Sequence, residues 1–175
     1  MVQPSVIELK PKNTRFLESQ IKLSVLEHHH IQVNSDIYAL AQLQEWFQQF
    51  QDLLPKPTWM QCNLVLVEVF TNVVSYAHEG LPEETPIDIE ITIHKLEHFL
   101  EMRIWDFGEP FDLQAEIDRA AIEAQKAQDF ESIDDIPTGG RGLMIANTVA
   151  DDIRYDTLTD GRNCFVMTKS FAKLI

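Results

Sequence analysis

TWMQCNLVLVEVFTNVVSYAHEG, residues 58–80, is the stretch on which the reading of the chain turns. Thr58 followed by Gln61 has capping-box spacing, and Pro57 suits a helix start. His78 and Gly80 suit a helix end, so a helix is predicted over Thr58–Gly80. Leu64, Val65, Leu66, Val67, Val69, Phe70, Val73 and Val74 make it apolar on nearly every side, the pattern of a buried helix. Glu68, Thr71, Asn72 and Ser75 interrupt that pattern at i, i+3, i+4 and i+7 and form one polar stripe. A buried carboxylate is costly unless something pairs with it. The stripe therefore either faces water or lines a pocket that uses a carboxylate and a carboxamide one turn apart.

The flanking sequence supplies a sheet. Ile87, Ile89, Ile91 and Ile93 alternate with polar residues, and Leu100, Met102 and Ile104 do the same after a short connection at 95–98. Asp106 falls on the face of Leu100, Met102 and Ile104. A carboxylate on the core side needs a donor: it caps the following loop, or its donor is a ligand. In that loop, 106–112, Gly108 permits a positive φ and Pro110 stiffens the chain. A first strand is predicted near 14–27, with His28, His29 and His30 at an exposed turn or strand edge. Alternate pointing on a strand argues against their holding a metal together. An amphipathic helix follows from the Asn34-Ser35-Asp36 cap cluster to about Asp52. Two C-terminal strands, 153–158 and 163–171, flank an Asp160-Gly161 turn.

Between sheet and hairpin, the Ala-, Glu- and Gln-rich run 113–128 forms helix with Ile117, Ala120, Ala121 and Ala124 as its only apolar stripe. Residues 111–138 thus read as a weakly packed lid. Thr138-Gly139-Gly140-Arg141-Gly142 ends it and feeds a short helix carrying Leu143, Ile145, Ala146, Val149 and Ala150. Such a turn is a tight loop, or a helix N-terminus whose free N–H groups and dipole suit phosphate. It is neither the Walker A pattern nor Gly-x-Gly-x-x-Gly. The order β-α-α-β-β-lid-α-β-β predicts an α+β two-layer sandwich, its sheet mixed but mostly antiparallel and its helices on one face. One domain is expected over 1–175, with its core at about 15–172.

Composition narrows the function. The net charge of −14 argues against a nucleic-acid surface, which needs clustered Lys and Arg, and against docking on anionic lipid. No apolar run approaches the ~18 residues of a membrane span. The N-terminal MVQPSVIELKPKNTRF lacks an apolar signal core, so a cytoplasmic location is expected. Cys62 and Cys164 are expected as free buried thiols.

The polar stripe, the inward aspartate and the glycine-rich helix start together suit a nucleotide. The aspartate can accept from an adenine amino group, and the amide oxygen can help to hold magnesium. The glycine N–H groups can take phosphate oxygens. The glutamate is left to polarise a hydroxyl or a water. Those residues resemble a known family. Glu68-x-x-x-Asn72 resembles the N box of the GHKL ATPase and kinase superfamily. Asp106-Phe-Gly108-Glu-Pro110-Phe-Asp112 resembles its G1 box in the form used by bacterial anti-sigma factor serine/threonine kinases. Gly139-Gly140-Arg141-Gly142-Leu143 resembles the G2 box, and Gly161-Arg-Asn163 with the strand after it resembles the family's final hairpin. Tyr76 stands where many relatives carry histidine, and Pro110 where the wider superfamily carries glycine.

The resemblance implies the Bergerat-type sandwich of histidine-kinase-like ATPases and binding of ATP with Mg2+. It implies Asp106 on adenine, Asn72 on the metal, and Gly108, Pro110, Gly140, Arg141, Gly142 and Leu143 around the nucleotide. Glu68 would be the general base toward a serine or threonine. Such a kinase binds a sigma factor or other output protein and phosphorylates a small antagonist protein in partner switching; homodimers are common. The alternative is a nucleotide-gated protein that sequesters its partner without turnover. A sensor histidine kinase fits poorly, because no phosphoacceptor histidine sits in a helical hairpin upstream.

Overall fold

The computed structural model describes residues 26–127 and 141–173. Five strands form one sheet: β1 (Leu26–Asn34), β2 (Pro86–His94), β3 (Phe99–Asp106), β4 (Asp152–Thr157) and β5 (Asn163–Ser170). Their order is β1-β2-β3-β5-β4. Every pairing among the described strands is antiparallel, so the mixed sheet expected from sequence is antiparallel throughout. The helices are α1 (Ala39–Phe47), α2 (Lys56–Asn72), α3 (Leu113–Ala127) and α4 (Arg141–Val149). The α+β two-layer sandwich is borne out.

Register explains why one face carries the core. Ile31, Ile89, Ile104, Phe165 and Tyr155 lie opposite one another across all five strands. His29, Ile91, Met102, Met167 and Ile153 form the next row. Ile89, Ile91, Met102 and Ile104 are fully buried against Val65, Leu66, Val69 and Phe70 of α2. Each such side chain contributes about 1.5–3 kcal/mol on leaving water. Trp59 Nε1–H donates to the Phe47 carbonyl at 3.3 Å, tying α2 to α1.

Four local expectations are corrected. First, β1 runs through the histidines: His28 and His30 point outward to Thr92 and Asp88, while the ring of His29 meets Phe50 edge-on at 5.0 Å. Residues 14–25 of the predicted strand lie outside the described residues. Among the described residues no three His, Cys, Asp or Glu could hold a metal together. Second, α2 starts at Lys56 with Pro55 as N-cap, and Thr58 is buried inside the helix instead of capping it. A proline at N2 needs no donor, so the helix can begin before it. Third, the α-helix ends at Asn72 and continues as a π turn over Val73–Ala77, closed by the His78 amide on the Val73 carbonyl at 2.8 Å. Gly80 then leaves the helix at φ 81°. Fourth, Gly108 is not among the positive-φ glycines. It is required for a different reason, given below.

The C-terminal hairpin turns at Gly161, φ 85°, as expected. Cys62 and Cys164 are free and buried, and burial pushes their thiols up to about 12 and about 11. In α3, Ile117 and Ala120 are buried but Ala121 is exposed, so the apolar stripe is narrower than the spacing suggested. Asp112 caps this helix through the Ala115 amide at 3.1 Å.

Candidate nucleotide site

The polar stripe of α2 meets the start of α4. Glu68, Thr71 and Asn72 are half-buried and Ser75 is exposed. Thr71 spends its hydroxyl on the Val67 carbonyl at 2.7 Å, a bond within its own helix. Glu68 and Asn72 face Gly142. A Cβ at Gly142 would lie 2.7 Å from Asn72 Nδ2 and 3.1 Å from Glu68 Oε2. The two segments approach this closely only because Gly142 has no side chain. The predicted acid–amide pair and the predicted glycine-rich helix start, some seventy residues apart in sequence, therefore sit together. Arg141 opens α4, and Leu143 packs half-buried against the core. Gly140 lies outside the described residues.

The other end of the site is Asp106. It is 2% exposed at the end of β3, on the core face, as its parity predicted. Its donors come from the protein. Gly108 N–H reaches Oδ1 at 2.9 Å and Asn163 Nδ2 reaches it at 3.0 Å. The Tyr155 hydroxyl lies 2.8 Å from Oδ2 and 3.1 Å from Oδ1. The aspartate thus caps its own loop. An ionised carboxylate has about four acceptor sites, so the crowded Oδ1 is used up while Oδ2 keeps room for one more donor. Burial first, and then the Asp106 charge, push the Tyr155 phenol well above its ordinary range, so it remains a donor.

Gly108 is held from two sides. Asn163 Nδ2 also donates to its carbonyl at 2.8 Å. A Cβ at Gly108 would meet the Ala77 carbonyl oxygen at 2.6 Å and the Ala77 Cβ at 2.8 Å. The π turn brings Ala77 against the loop, and glycine lets the loop close on it. Pro110 is exposed beyond this contact. The Phe111 ring then lies tilted by 31° against that of Tyr155, ring centroids 4.2 Å apart. A cleft of about 540 Å³ opens beside that pair, lined by α3, the end of α4 and β4.

Sequence reasoning missed three residues here: Tyr155, Asn163 and His78. Each acts across 29 to 57 positions of sequence. One signal was available for Asn163. It lies opposite Asp106 in the β3–β5 register, and neighbours in register share a face.

The arrangement can hold a nucleotide. Gly142 packs so closely on an amide and a carboxylate that a larger side chain would push them aside. Asp106 Oδ2 offers an acceptor to an amino group, and Asn72 offers an amide oxygen of the kind magnesium takes. The chain belongs to the histidine kinase-like ATPase domain family, whose model matches residues 33–169. The motif resemblance is borne out at that level, and the family implies ATP as the ligand.

Among solved structures, the chain is similar to a chain of the SiaB–SiaC complex from Pseudomonas aeruginosa. The identity is 12% and the TM-score 0.56, covering 91% of this chain and 98% of that one. At that identity the likeness speaks to the fold alone. No curated protein matches the chain significantly. Among the described residues, no helix is long and apolar enough to cross a membrane.

Proposed function

We propose that this chain is an ATP-dependent serine/threonine protein kinase and anti-sigma-type regulator of the partner-switching kind. The observation that carries the proposal is the seating of Gly142 against Glu68 and Asn72, with Asp106 at the end of β3 opening the loop whose Gly108 packs on Ala77, at the end of the same helix segment. Asp106 would read the adenine amino group through Oδ2. Asn72 would offer its amide oxygen to Mg2+. The backbone around Gly140, Arg141, Gly142 and Leu143 would face phosphate, and Gly108 and Pro110 would shape the loop beside the base. Mg-ATP, when bound, supplies the phosphoryl group and the charge that neutralises it. Glu68 would take the proton of a serine or threonine hydroxyl on a small antagonist protein as that oxygen is phosphorylated. The sequestered partner would be a sigma factor or another output protein, the assembly a homodimer in the cytoplasm, and residues 111–138, of which 128–138 lie outside the described residues, the lid over the nucleotide.

Capture of cytoplasmic proteins on the immobilised chain, with and without Mg-ATP, followed by phosphosite mapping, tests this. The proposal expects one captured protein to gain phosphate on a single Ser or Thr. ATP-dependent capture with no phosphate gained would leave the sequestering alternative. Failure to bind Mg-ATP at millimolar concentration would refute both.

A further inference from the structure

His78 has no part in the roles assigned so far, yet it is 3% exposed at the end of the π turn. Its two ring nitrogens join separate segments. Nε2 accepts the Phe107 backbone N–H at 2.9 Å, and Nδ1 lies 2.9 Å from the Ser35 hydroxyl. Phe107 sits between Asp106 and Gly108, so this bond fixes the middle of the aspartate loop. Because Nε2 must present a lone pair to an amide, the ring proton is assigned to Nδ1, which donates to Ser35. Only the neutral ring does this. An imidazolium would set an N–H against the Phe107 N–H.

We infer that neutral His78 is a positioning residue that latches the Asp106–Gly108 loop to the end of the α2 segment, and that its protonation releases the loop and weakens nucleotide binding. The inference rests on the reading of Asp106 as a nucleotide contact. The groups facing the ring are few. Asp106 at the end of β3 favours the charged form; the Phe107 ring, 6.3 Å away between centroids, and the Ser35 hydroxyl are neutral. Burial outweighs the aspartate and holds the imidazole below its ordinary 6.5. A depressed folded-state value means that the latch is fully closed above the unfolded 6.5 and is lost as pH falls through the lower folded value. Stability contributed by the latch follows the same sign.

Two variants and one amide test it. His78→Gln keeps a neutral oxygen that can reach the Phe107 amide, and it cannot be charged. His78→Asn keeps a polar group near Ser35 but stops short of Phe107. In the wild type, the Phe107 amide resonance should move with the His78 ring as pH is lowered from 8 to 5. Once pH has fallen below the ring's depressed value, wild-type affinity for Mg-ATP should have fallen about tenfold more than that of His78→Gln, the worth of about one hydrogen bond. His78→Asn should bind several-fold more weakly at pH 8 and show the same shallow pH profile as His78→Gln. If His78→Asn does not fold, the other two measurements carry the test. A Phe107 amide that ignores His78, or identical pH profiles for wild type and His78→Gln, overturns the latch. Absence of Mg-ATP binding at pH 8 in both proteins refutes the nucleotide reading, and the coupling with it, even where the Phe107 amide follows His78.

Discussion

Gly142→Ala separates binding from folding at the junction of α2 and α4. The new methyl would sit 2.7 Å from Asn72 Nδ2, 3.1 Å from Glu68 Oε2 and 3.2 Å from Glu68 Cβ. Asn72 Nδ2 and Glu68 Oε2 can turn aside by rotation, and Glu68 Cβ, fixed to its backbone, needs to give only a few tenths of an ångström. Overpacking of this kind costs about 1–3 kcal/mol. Alanine in a helix recovers about 1 kcal/mol over glycine. The net loss of stability is therefore about 0–2 kcal/mol, a fall in Tm of at most about 8 °C for a chain of this length. The cost to binding is larger. An Asn72 turned away from its position gives up a contact to a charged ligand, worth about 1.5–3 kcal/mol. That is a loss of roughly 10- to 100-fold in affinity for Mg-ATP. Calorimetric titration with Mg-ATP, beside thermal unfolding without nucleotide, reads the two effects separately. Adenosine, which lacks phosphates and brings no metal, should bind Gly142→Ala as it binds wild type. A Gly142→Ala protein with wild-type affinity for Mg-ATP would refute the placing of Asn72 and Gly142 in one site.

Gly108→Ala should behave in the opposite way. Its methyl would meet the Ala77 carbonyl oxygen at 2.6 Å and Ala77 Cα at 2.9 Å, and backbone cannot rotate away. A stability loss of about 3 kcal/mol is expected in urea unfolding; an unchanged midpoint would mean that the π turn and the loop are not in contact. Tyr155→Phe removes the donor that Asp106 Oδ2 has among the described residues, 2.8 Å away. Equilibrium unfolding at pH 7 should show a loss of about 1.5–3 kcal/mol, the value of a hydrogen bond to a charged group. Unchanged stability would show that the phenol does not serve the carboxylate.

Most of the fold was legible because period-two and helical patterns report directly on burial. The isoleucines of β2 and the alternation of β3 fixed two strands and the inward face of Asp106 without any long-range information. Two boundaries went wrong for local reasons. The capping-box reading of Thr58 ignored that Pro55 and Pro57 allow a helix to start earlier. The histidines of β1 hid a strand whose inward positions, His29, Ile31 and Val33, alternate correctly once its edge location is known.

The site was legible in part. Glu68, Asn72, Asp106 and Gly142 were singled out because each breaks an apolar or backbone rule at one position. The residues that hold Asp106 and its loop break none. Tyr155 looks like an ordinary strand residue, Asn163 stood out only as part of a hairpin motif, and His78 looks like a helix-ending histidine. Their roles come from pairing across the sheet and from the π turn, which no local spacing encodes. Gly108 was noticed for backbone freedom that it does not use; its lack of a side chain is what the contact with Ala77 needs.

The central claim is that Glu68 serves phosphoryl transfer beside a nucleotide held by its neighbours. Glu68→Ala tests it most directly, in single-turnover transfer from Mg-ATP to the captured partner protein, with Mg-ATP affinity measured in parallel. The account predicts affinity within a few-fold of wild type and transfer slowed by about 10²–10⁴-fold, the range for removal of a general base. Transfer by Glu68→Ala at the wild-type rate would contradict it.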